Sequence, residues 1–358
     1  MPKIRYNNID NVSTDKTLKE FKQWREQRRN KVKDYSYTVP KHPPELDYLH
    51  ANRAETTITW IGHSTFFIQY HGLNIVTDPV WAEKMGFQRR LGAPGIPIHD
   101  IPPLDIILIS HSHYDHLHLA SLRKLVTAKT LLIVPDGLKR KMVRKGFHRC
   151  HEMKWWEHIT LGGVKITFVP AQHWTRRTLF DTNTSHWGGY VLEQHHPAVV
   201  PSEETAATIQ DRAHENSRAA GTDDPSEASA SASSANPPGG PPVIYFVGDT
   251  GYFQGFKTIG ERFDIGVTLM PIGAYEPEWF MTSQHVTPEE ALQGFVETGS
   301  QLMVPMHYGT FKLADDTPKE ALDRMEAERE RLGINPERIR VLGHGETLRI
   351  RHEESKQD

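Results

Sequence analysis

The stretch LDIILISHSHYDH, residues 104–116, carries the strongest signal for fold and chemistry in this chain. It opens on the mostly apolar run LDIILIS, which is typical of a strand buried inside a sheet. Four side chains that can bind a metal follow at once, and they are His111, His113, Asp115 and His116. Because His111 and His113 are two positions apart, both imidazoles point the same way where the chain is extended. The stretch therefore predicts a metal site at the end of a strand.

Three further apolar runs end in the same residue types. KITFVPAQ precedes His173, VIYFVG precedes Asp249, and LMVPM precedes His307. Side chains that project from strand ends can converge at one edge of a sheet, where α/β folds place their sites. We therefore expect these three residues to meet the cluster at 111–116.

The complete ligand set predicts a pair of cations. It comprises five histidines and two aspartates, namely His111, His113, Asp115, His116, His173, Asp249 and His307. Such a set suits two four- or five-coordinate ions with one bridging carboxylate and a water or hydroxide between them. Nitrogen and oxygen ligands without sulfur favour zinc, and they are also compatible with iron or manganese.

The composition excludes several classes of protein. The chain has 358 residues, and 42 Lys and Arg against 45 Asp and Glu give a formal net charge of −3, which argues against a dedicated nucleic-acid-binding protein. The single cysteine, Cys150, excludes a disulfide framework and a thiolate-rich zinc site within one chain. No window approaches the roughly 18 apolar residues of a membrane span, and the N-terminus lacks the apolar core of a secretory signal. These features favour a cytoplasmic location.

One segment, residues 195–242, differs in composition from its surroundings. It has no aromatic residue and is rich in Ser, Ala, Pro, Gly and acidic residues, which predicts a disordered insertion. The strand-like stretches WGGYVLEQ and PVIYFVGDT flank it. This arrangement favours an enlarged hairpin loop within one domain over a linker between two domains. We therefore predict a single hydrolase domain over residues 51–350.

Residues 1–50 form a basic N-terminal arm. Eight Lys and Arg fall between positions 16 and 33, and Leu18, Phe21 and Trp24 recur at a spacing of three, which favours one face of a short helix. Two interpretations follow from this pattern. The helix could lie on an anionic membrane surface, or those three apolar side chains could pack the arm on the domain.

From Thr57 onward, short apolar runs alternate with stretches that favour helices. TPEE at 287–290 and TPKE at 317–320 each combine a capping Thr with Pro at the first helical position. TITWIGHSTFFIQY and LNIVTDPVW, joined by His71-Gly72, predict a hairpin. Strands mixed with helices in this way predict an α/β fold in which helices cover the sheet faces.

Several polar residues outside the ligand set allow two interpretations. The turn Gly62–Thr65 could line the site or only connect two strands. Asp78 could orient a ligand histidine from behind or cap a turn. His118, His186 and His344 are interpreted as ordinary surface or packing residues.

The motifs resemble a known family. HSHYDH matches the HxHxDH signature of the metallo-β-lactamase superfamily. FVGDTGYF, PIGAYEPEWFM, SQHVTPEEAL and MHYGTF resemble the N-acylphosphatidylethanolamine-hydrolysing phospholipase D family, and the likeness runs from about Thr57 to Phe311. The resemblance implies an αβ/βα sandwich of two mixed sheets flanked by helices, with a dinuclear zinc site at one edge.

The resemblance also implies a role for each site residue. One zinc would be bound by His111, His113 and His173, the other by Asp115, His116 and His307, with Asp249 bridging both. Asp249 would hold a bridging hydroxide. The QHV segment of the family places a functional histidine at His285, which would contact the phosphate or protonate the leaving oxygen.

The implied reaction is hydrolysis of N-acylphosphatidylethanolamine to N-acylethanolamine and phosphatidic acid, with two Zn²⁺ per chain. The resemblance extends to peripheral docking on an intracellular membrane and to a homodimer. Hydrolysis of a lactone, a β-lactam or a sugar phosphate is the main alternative. The net charge disfavours a nuclease, and the complete ligand set disfavours a non-catalytic lipid-binding protein.

Overall fold

The computed structural model describes residues 4–14, 16–195 and 240–350. The predicted disorder of the insertion at 195–242 therefore lies almost wholly outside the described residues.

The strands, in chain order, are β1 Thr56–Gly62, β2 Thr65–Tyr70, β3 Leu73–Thr77, β4 Lys84–Met85, β5 Gln88–Arg89, β6 Ile106–Leu108, β7 Leu131–Pro135, β8 Cys150–Met153, β9 His158–Leu161, β10 Val164–Val169, β11 Gly189–Gln194, β12 Val243–Phe246, β13 Ile265–Pro271, β14 Leu302–Met306 and β15 Thr347–Ile350. The helices are α1 Leu18–Asn30, α2 Leu46–Ala51, α3 Leu119–Leu125, α4 Lys139–Arg144, α5 Gly255–Arg262, α6 Glu278–Met281, α7 Pro288–Glu297 and α8 Pro318–Arg331, followed by a 3-10 turn at Pro336–Arg338.

Two mixed sheets make up the body of the protein. The first has the order β15-β1-β2-β3-β6-β7-β8, and the second has the order β14-β13-β12-β11-β10-β9. The strands β4 and β5 form a separate small hairpin. The predicted hairpin between β2 and β3 is confirmed, because His71 and Gly72 take positive φ values of 48° and 80° in a two-residue turn.

The inner faces of the two sheets share one buried core. From the first sheet it takes Trp60 and Phe66, and from the second it takes Phe168 and Phe246, all of them fully buried. A second cluster covers the opposite face of the first sheet, where residues such as Leu122 pack on it. Helices therefore lie outside a pair of facing sheets, as the resemblance implied. Burial of each such side chain contributes about 1.5–3 kcal/mol relative to its exposure.

The predicted helix starts at Thr287 and Thr317 are both present. Thr287 accepts a hydrogen bond from the Glu290 backbone N–H at 3.2 Å, and the Glu290 carboxylate accepts one from Thr287 N at 2.9 Å. Thr317 accepts one from Glu320 N at 3.1 Å. These side chains satisfy backbone donors that the first turn of a helix leaves without partners.

The strands β11 and β12, which flank the insertion, are antiparallel neighbours, with Tyr190 opposite Phe246. The segment between them thus joins two adjacent strands of one sheet. A hairpin loop within a domain requires this arrangement, whereas a linker between domains does not.

The arm forms the predicted helix, α1, and packs on the domain. The Phe21 and Trp24 rings lie 5.3 Å and 5.1 Å from the Phe280 ring, centroid to centroid. Arg28 Nε lies 3.0 Å from Asp315 Oδ1. Leu18 is 89% exposed, so the prediction that it joins this contact is wrong. The helix turns its Phe21 and Trp24 face to the domain and leaves Leu18 in solvent. No helix in the described ranges has both the length and the apolar character that a bilayer span needs.

Candidate metal centre

Three histidines converge at one edge of the sandwich. His113 Nδ1 lies 2.9 Å from His111 Nε2 and 3.2 Å from His173 Nε2. The first two follow β6, and His173 follows β10, so residues sixty positions apart meet because both strands end at this edge. His111 and His173 are fully buried. These three residues form the first of the two groups that the family resemblance implies.

A second group of three lies beside it. His116 Nε2 is 3.3 Å from His307 Nε2 and 3.4 Å from Asp115 Oδ2, and His307 Nε2 is 3.7 Å from the same carboxylate oxygen. His307 follows β14 and has a φ of 63°, a left-handed conformation that is uncommon for a residue other than glycine. That conformation turns the chain at the strand end where the imidazole is needed.

One carboxylate oxygen faces both groups. Asp249 Oδ2 lies 3.1 Å from His116 Nε2 and 3.1 Å from His307 Nε2. It also lies 3.8 Å from His111 Nε2 and 3.9 Å from His173 Nε2. All seven residues that the sequence singled out therefore meet at one point.

The donor set fits a metal ion. Ligand atoms about 2.0–2.1 Å from a tetrahedral zinc lie roughly 3.4 Å from one another, which is close to the separations found here. In the described part of the chain, the buried Asp249 Oδ1 has no hydrogen-bond partner, so it too is available as a ligand. No Lys or Arg within those residues lies at ion-pair distance from Asp115 or Asp249, whose only such partners are histidines.

The pKa values of the residues at the centre also fit a metal ion. Burial lowers the pKa of His113 to about 4 and that of His173 to about 3, so both imidazoles are neutral near pH 7, the state that binds metal. Burial also opposes charge on His307, but the Asp249 and Asp115 carboxylates outweigh it and raise the pKa of His307 to about 9. Burial likewise opposes charge on Asp249, yet the imidazoles of His116 and His307 hold its pKa well below the ordinary value. A cation would replace the protons that these carboxylates otherwise retain on the imidazoles.

Asp78 orients His116, one of the predicted ligands. Its Oδ2 accepts hydrogen bonds from His116 Nδ1 at 2.7 Å and from the Ser110 hydroxyl at 2.5 Å, and its Oδ1 accepts one from Ser110 N at 2.7 Å. Asp78 is fully buried. The carboxylate therefore fixes the ring of His116 with Nε2 directed at the centre.

His63 lies at the centre. The sequence allowed two interpretations of its turn, Gly62–Thr65, which could line the site or only connect two strands. His63 Nε2 lies 2.9 Å from Asp115 Oδ2, and the His63 carbonyl accepts a hydrogen bond from His307 N at 3.2 Å. Its own backbone N–H donates to Thr310 Oγ1 at 2.6 Å. The turn thus connects two strands and also supports two ligands.

The arm contributes Asn8, which the sequence analysis missed. Asn8 Oδ1 accepts hydrogen bonds from His173 N at 3.0 Å and from Trp187 Nε1 at 3.0 Å. His173 Nδ1 is held in turn by the Gln284 carbonyl at 2.9 Å. Nothing in the local sequence IRYNNID distinguishes this asparagine from its neighbour, because its role depends on a partner 165 positions away.

His285 lies at the rim of the same centre. Its Nδ1 is 3.9 Å from Asp249 Oδ2 and has no hydrogen-bond partner in the described part of the chain. Its ring centroid is 5.2 Å from that of His173 and 5.5 Å from that of His307. It therefore stands beside the predicted ligands with one buried ring nitrogen that no described residue engages in a hydrogen bond.

The three histidines that were interpreted as ordinary surface or packing residues contact other parts of the fold. His118 caps α3 by accepting a hydrogen bond from Ser121 N at 3.3 Å. The ring of His186 packs 4.1 Å from that of Trp155, and the ring of His344 packs 4.6 Å from that of Trp60.

Comparison with known proteins agrees with the fold. The family model of the beta-lactamase superfamily domain matches residues 73–223 and 213–308. Among solved structures, a metallo hydrolase from Ignicoccus hospitalis superposes with a TM-score of 0.54 at 20% identity, covering 83% of this chain and 99% of that one. An isothiocyanate hydrolase from Delia radicum gut bacteria superposes with a TM-score of 0.58 at 17% identity, covering 83% of this chain and 99% of that one. The metallo-β-lactamase fold that the sequence predicted is thus confirmed.

The similar sequences narrow the family. A mitochondrial N-acyl-phosphatidylethanolamine-hydrolyzing phospholipase D of Saccharomyces cerevisiae is 31% identical over 75% of this chain and 51% of its own length. N-acyl-phosphatidylethanolamine-hydrolyzing phospholipase D 1 of Caenorhabditis elegans is 31% identical over 77% of this chain and 70% of its own length. The chain thus spans about half the yeast protein. It belongs to the N-acylphosphatidylethanolamine-hydrolysing phospholipase D family of the metallo-β-lactamase superfamily. That membership makes it a metal-dependent hydrolase by class.

Replacing Asp78 with Ala should weaken metal binding without removing any ligand. Because His116 loses the acceptor that fixes its ring, we expect metal affinity to fall by about 10–100-fold. The measurement is metal retained during titration with a chelator. Asp105→Ala is the matched control, since that carboxylate accepts a hydrogen bond from Asn74 N on the same sheet, away from the centre. Wild-type affinity in Asp78→Ala, with the fold intact, would contradict this role.

Proposed function

We propose that the chain is a dinuclear zinc phosphodiesterase, a phospholipase D that hydrolyses N-acylphosphatidylethanolamine to N-acylethanolamine and phosphatidic acid. The observation that carries this proposal is the position of Asp249 Oδ2, which faces two separate groups of ligands at 3.1–3.9 Å. A single cation needs no such second group. The two family relatives described above act on this phospholipid by name.

Each ligand group would hold one zinc. His111, His113 and His173 supply the first ion with three neutral nitrogens, and Asp115, His116 and His307 supply the second with a carboxylate. Asp249 would bridge them. When bound, the cations make hydroxide available near neutral pH and neutralise the charge that develops on phosphoryl oxygens. Five imidazoles and two carboxylates suit zinc and are also compatible with iron or manganese.

His285 would bind the phosphate group. Burial lowers the pKa of His285 to about 3, so its imidazole is neutral and carries one N–H near pH 7. A neutral imidazole can donate a hydrogen bond to a phosphoryl oxygen, and it holds no extra proton for the leaving group. We therefore assign His285 the phosphate contact, in preference to protonation of the leaving oxygen.

Hydrolysis of this lipid would require the protein to contact a membrane surface. The long acyl chains keep the substrate in a bilayer, so the centre has to approach the head groups. Pairing of two chains and a cytoplasmic location stay predictions.

A substrate panel tests the reaction. We expect the zinc-loaded protein to release N-acylethanolamine and phosphatidic acid from N-acylphosphatidylethanolamine, detected together by mass spectrometry. Removal of metal by a chelator should abolish release, and added zinc should restore it. A lactone, a β-lactam and a sugar phosphate are tested in parallel. Turnover of one of these compounds, with no hydrolysis of the phospholipid, would contradict the proposal.

Replacing His285 with Ala should separate catalysis from metal binding. Loss of one positioned donor to the phosphate is expected to lower turnover by about 10²–10³-fold while metal content stays unchanged. Turnover and metal content are measured on the same preparation. His50→Ala serves as the control, because His50 is exposed and lies outside the centre. Undiminished turnover of His285→Ala at full metal content would remove it from the mechanism.

A further inference from the structure

A basic groove lies against the loop that carries the metal ligands. It has a volume of about 650 Å³, and Tyr114, which stands between His113 and Asp115 in the sequence, forms part of its wall. Four of the side chains that line it are cationic, namely Lys141, Arg144, Lys145 and Arg177. The proposed reaction uses none of these cations.

Most of this positive charge is uncompensated. Asp181 is the acidic residue that lines the groove, and it lies 3.3 Å from Lys141. Arg144 and Lys145 are exposed, and no carboxylate in the described part of the chain lies within ion-pair distance of either. The helix α4, with the sequence KRKMVR, adds further cations next to the groove. The groove therefore presents a surface that attracts anions.

An exposed apolar tip forms the rim of the groove. Leu179 and Phe180 are 76% and 77% exposed, and they stand between Thr178 and Asp181, which line the groove. The tip is held in shape, because Asp181 Oδ1 accepts hydrogen bonds from Arg177 N at 2.9 Å and Thr178 N at 2.7 Å. Two large apolar side chains are thus presented to solvent by an ordered turn.

The groove is tied directly to the ligand loop. Arg177 Nη1 donates hydrogen bonds to the carbonyls of Ser112 at 2.7 Å and Leu117 at 2.9 Å, which bracket the HYDH part of the motif. Tyr114 donates its hydroxyl to the Arg177 carbonyl at 2.8 Å. Whatever docks in the groove is therefore brought next to the metal centre.

We propose that the basic groove and the Leu179–Phe180 tip dock the protein on a membrane that contains anionic phospholipids. The cations would contact head-group phosphates, and the two apolar side chains would enter the boundary of the acyl region. This inference rests on the proposed function, which requires the centre to reach a lipid in a bilayer. A nucleic acid would also meet the cations, but its hydrated backbone offers Leu179 no apolar environment.

The arm is less suited to this role than the groove. Arg28 is paired with Asp315, and Lys33 with Glu276 and Glu320, so these cations are already engaged on the domain. The Phe21 and Trp24 rings of α1 pack against Phe280, as described above. Part of the arm's charge is therefore compensated by the domain, whereas the exposed Leu18, Arg25 and Arg29 provide the control positions used below.

Vesicle co-sedimentation of the full chain tests the proposal. We expect binding to phosphatidylcholine vesicles to rise by about tenfold or more when phosphatidylglycerol is included. The double variants Leu179→Ser/Phe180→Ser and Arg144→Glu/Lys145→Glu should each lose most of that binding. The matched controls lie on α1: Leu18→Ser removes an equally exposed apolar side chain, and Arg25→Glu/Arg29→Glu reverses two exposed cations. Both control proteins should bind as the wild type does.

Three results would overturn the docking surface. They are wild-type binding by both groove variants, loss of binding confined to the α1 variants, and a wild-type protein that binds RNA but not these vesicles. Metal content confirms that each variant is folded. The vesicles contain no N-acylphosphatidylethanolamine, so docking is scored without the reaction. Hydrolysis by the wild type is scored separately on detergent-dispersed substrate, which keeps failure of the docking surface distinct from failure of the proposed function.

Discussion

The structure depends on one electrostatic constraint. The Asp249 carboxylate is buried and the Asp115 carboxylate is partly buried among imidazoles, and no Lys or Arg of the described ranges lies at ion-pair distance from either. Removing a carboxylate from water is costly unless opposite charge or hydrogen bonds compensate it. Here the imidazoles provide that compensation when protonated, and a divalent cation provides it when they are neutral. The ends of four strands, β6 from the first sheet and β10, β12 and β14 from the second, must meet at one edge of the sandwich for this to happen.

The residues behind the ligands matter as much as the ligands. Asp78 fixes His116, His63 contacts Asp115, and Asn8 holds the backbone of His173. Each comes from a different part of the chain, which spreads the support for the centre over the first sheet and the N-terminal arm. A ligand fixed in this way loses little conformational freedom when a metal binds, and this pre-organisation favours tight binding.

The sequence predicted the features that depend on neighbouring residues. It did not predict the features that depend on partners far away in the chain. The apolar runs before His111, His173, Asp249 and His307 form buried strands, as predicted. They could be recognised because the apolar character of each run is nearly continuous. The strand β9 was not predicted, since it lies at a sheet edge and its residues are only partly buried. Helix α5 was not predicted either, because its two glycines, Gly255 and Gly260, lower its helix propensity. The fold requires glycine at position 260, since a Cβ there would lie 2.7 Å from the Glu297 carbonyl oxygen. His63 and Asn8 could not be assigned because their partners become neighbours only in the folded chain.

Anomalous diffraction from crystals of the zinc-loaded protein tests the central claim most directly. The account predicts two zinc peaks at this edge of the sandwich, one bonded to His111, His113 and His173 and the other to Asp115, His116 and His307. Both should lie within bonding distance of Asp249. A single peak, or a second peak that Asp249 does not reach, would contradict the account.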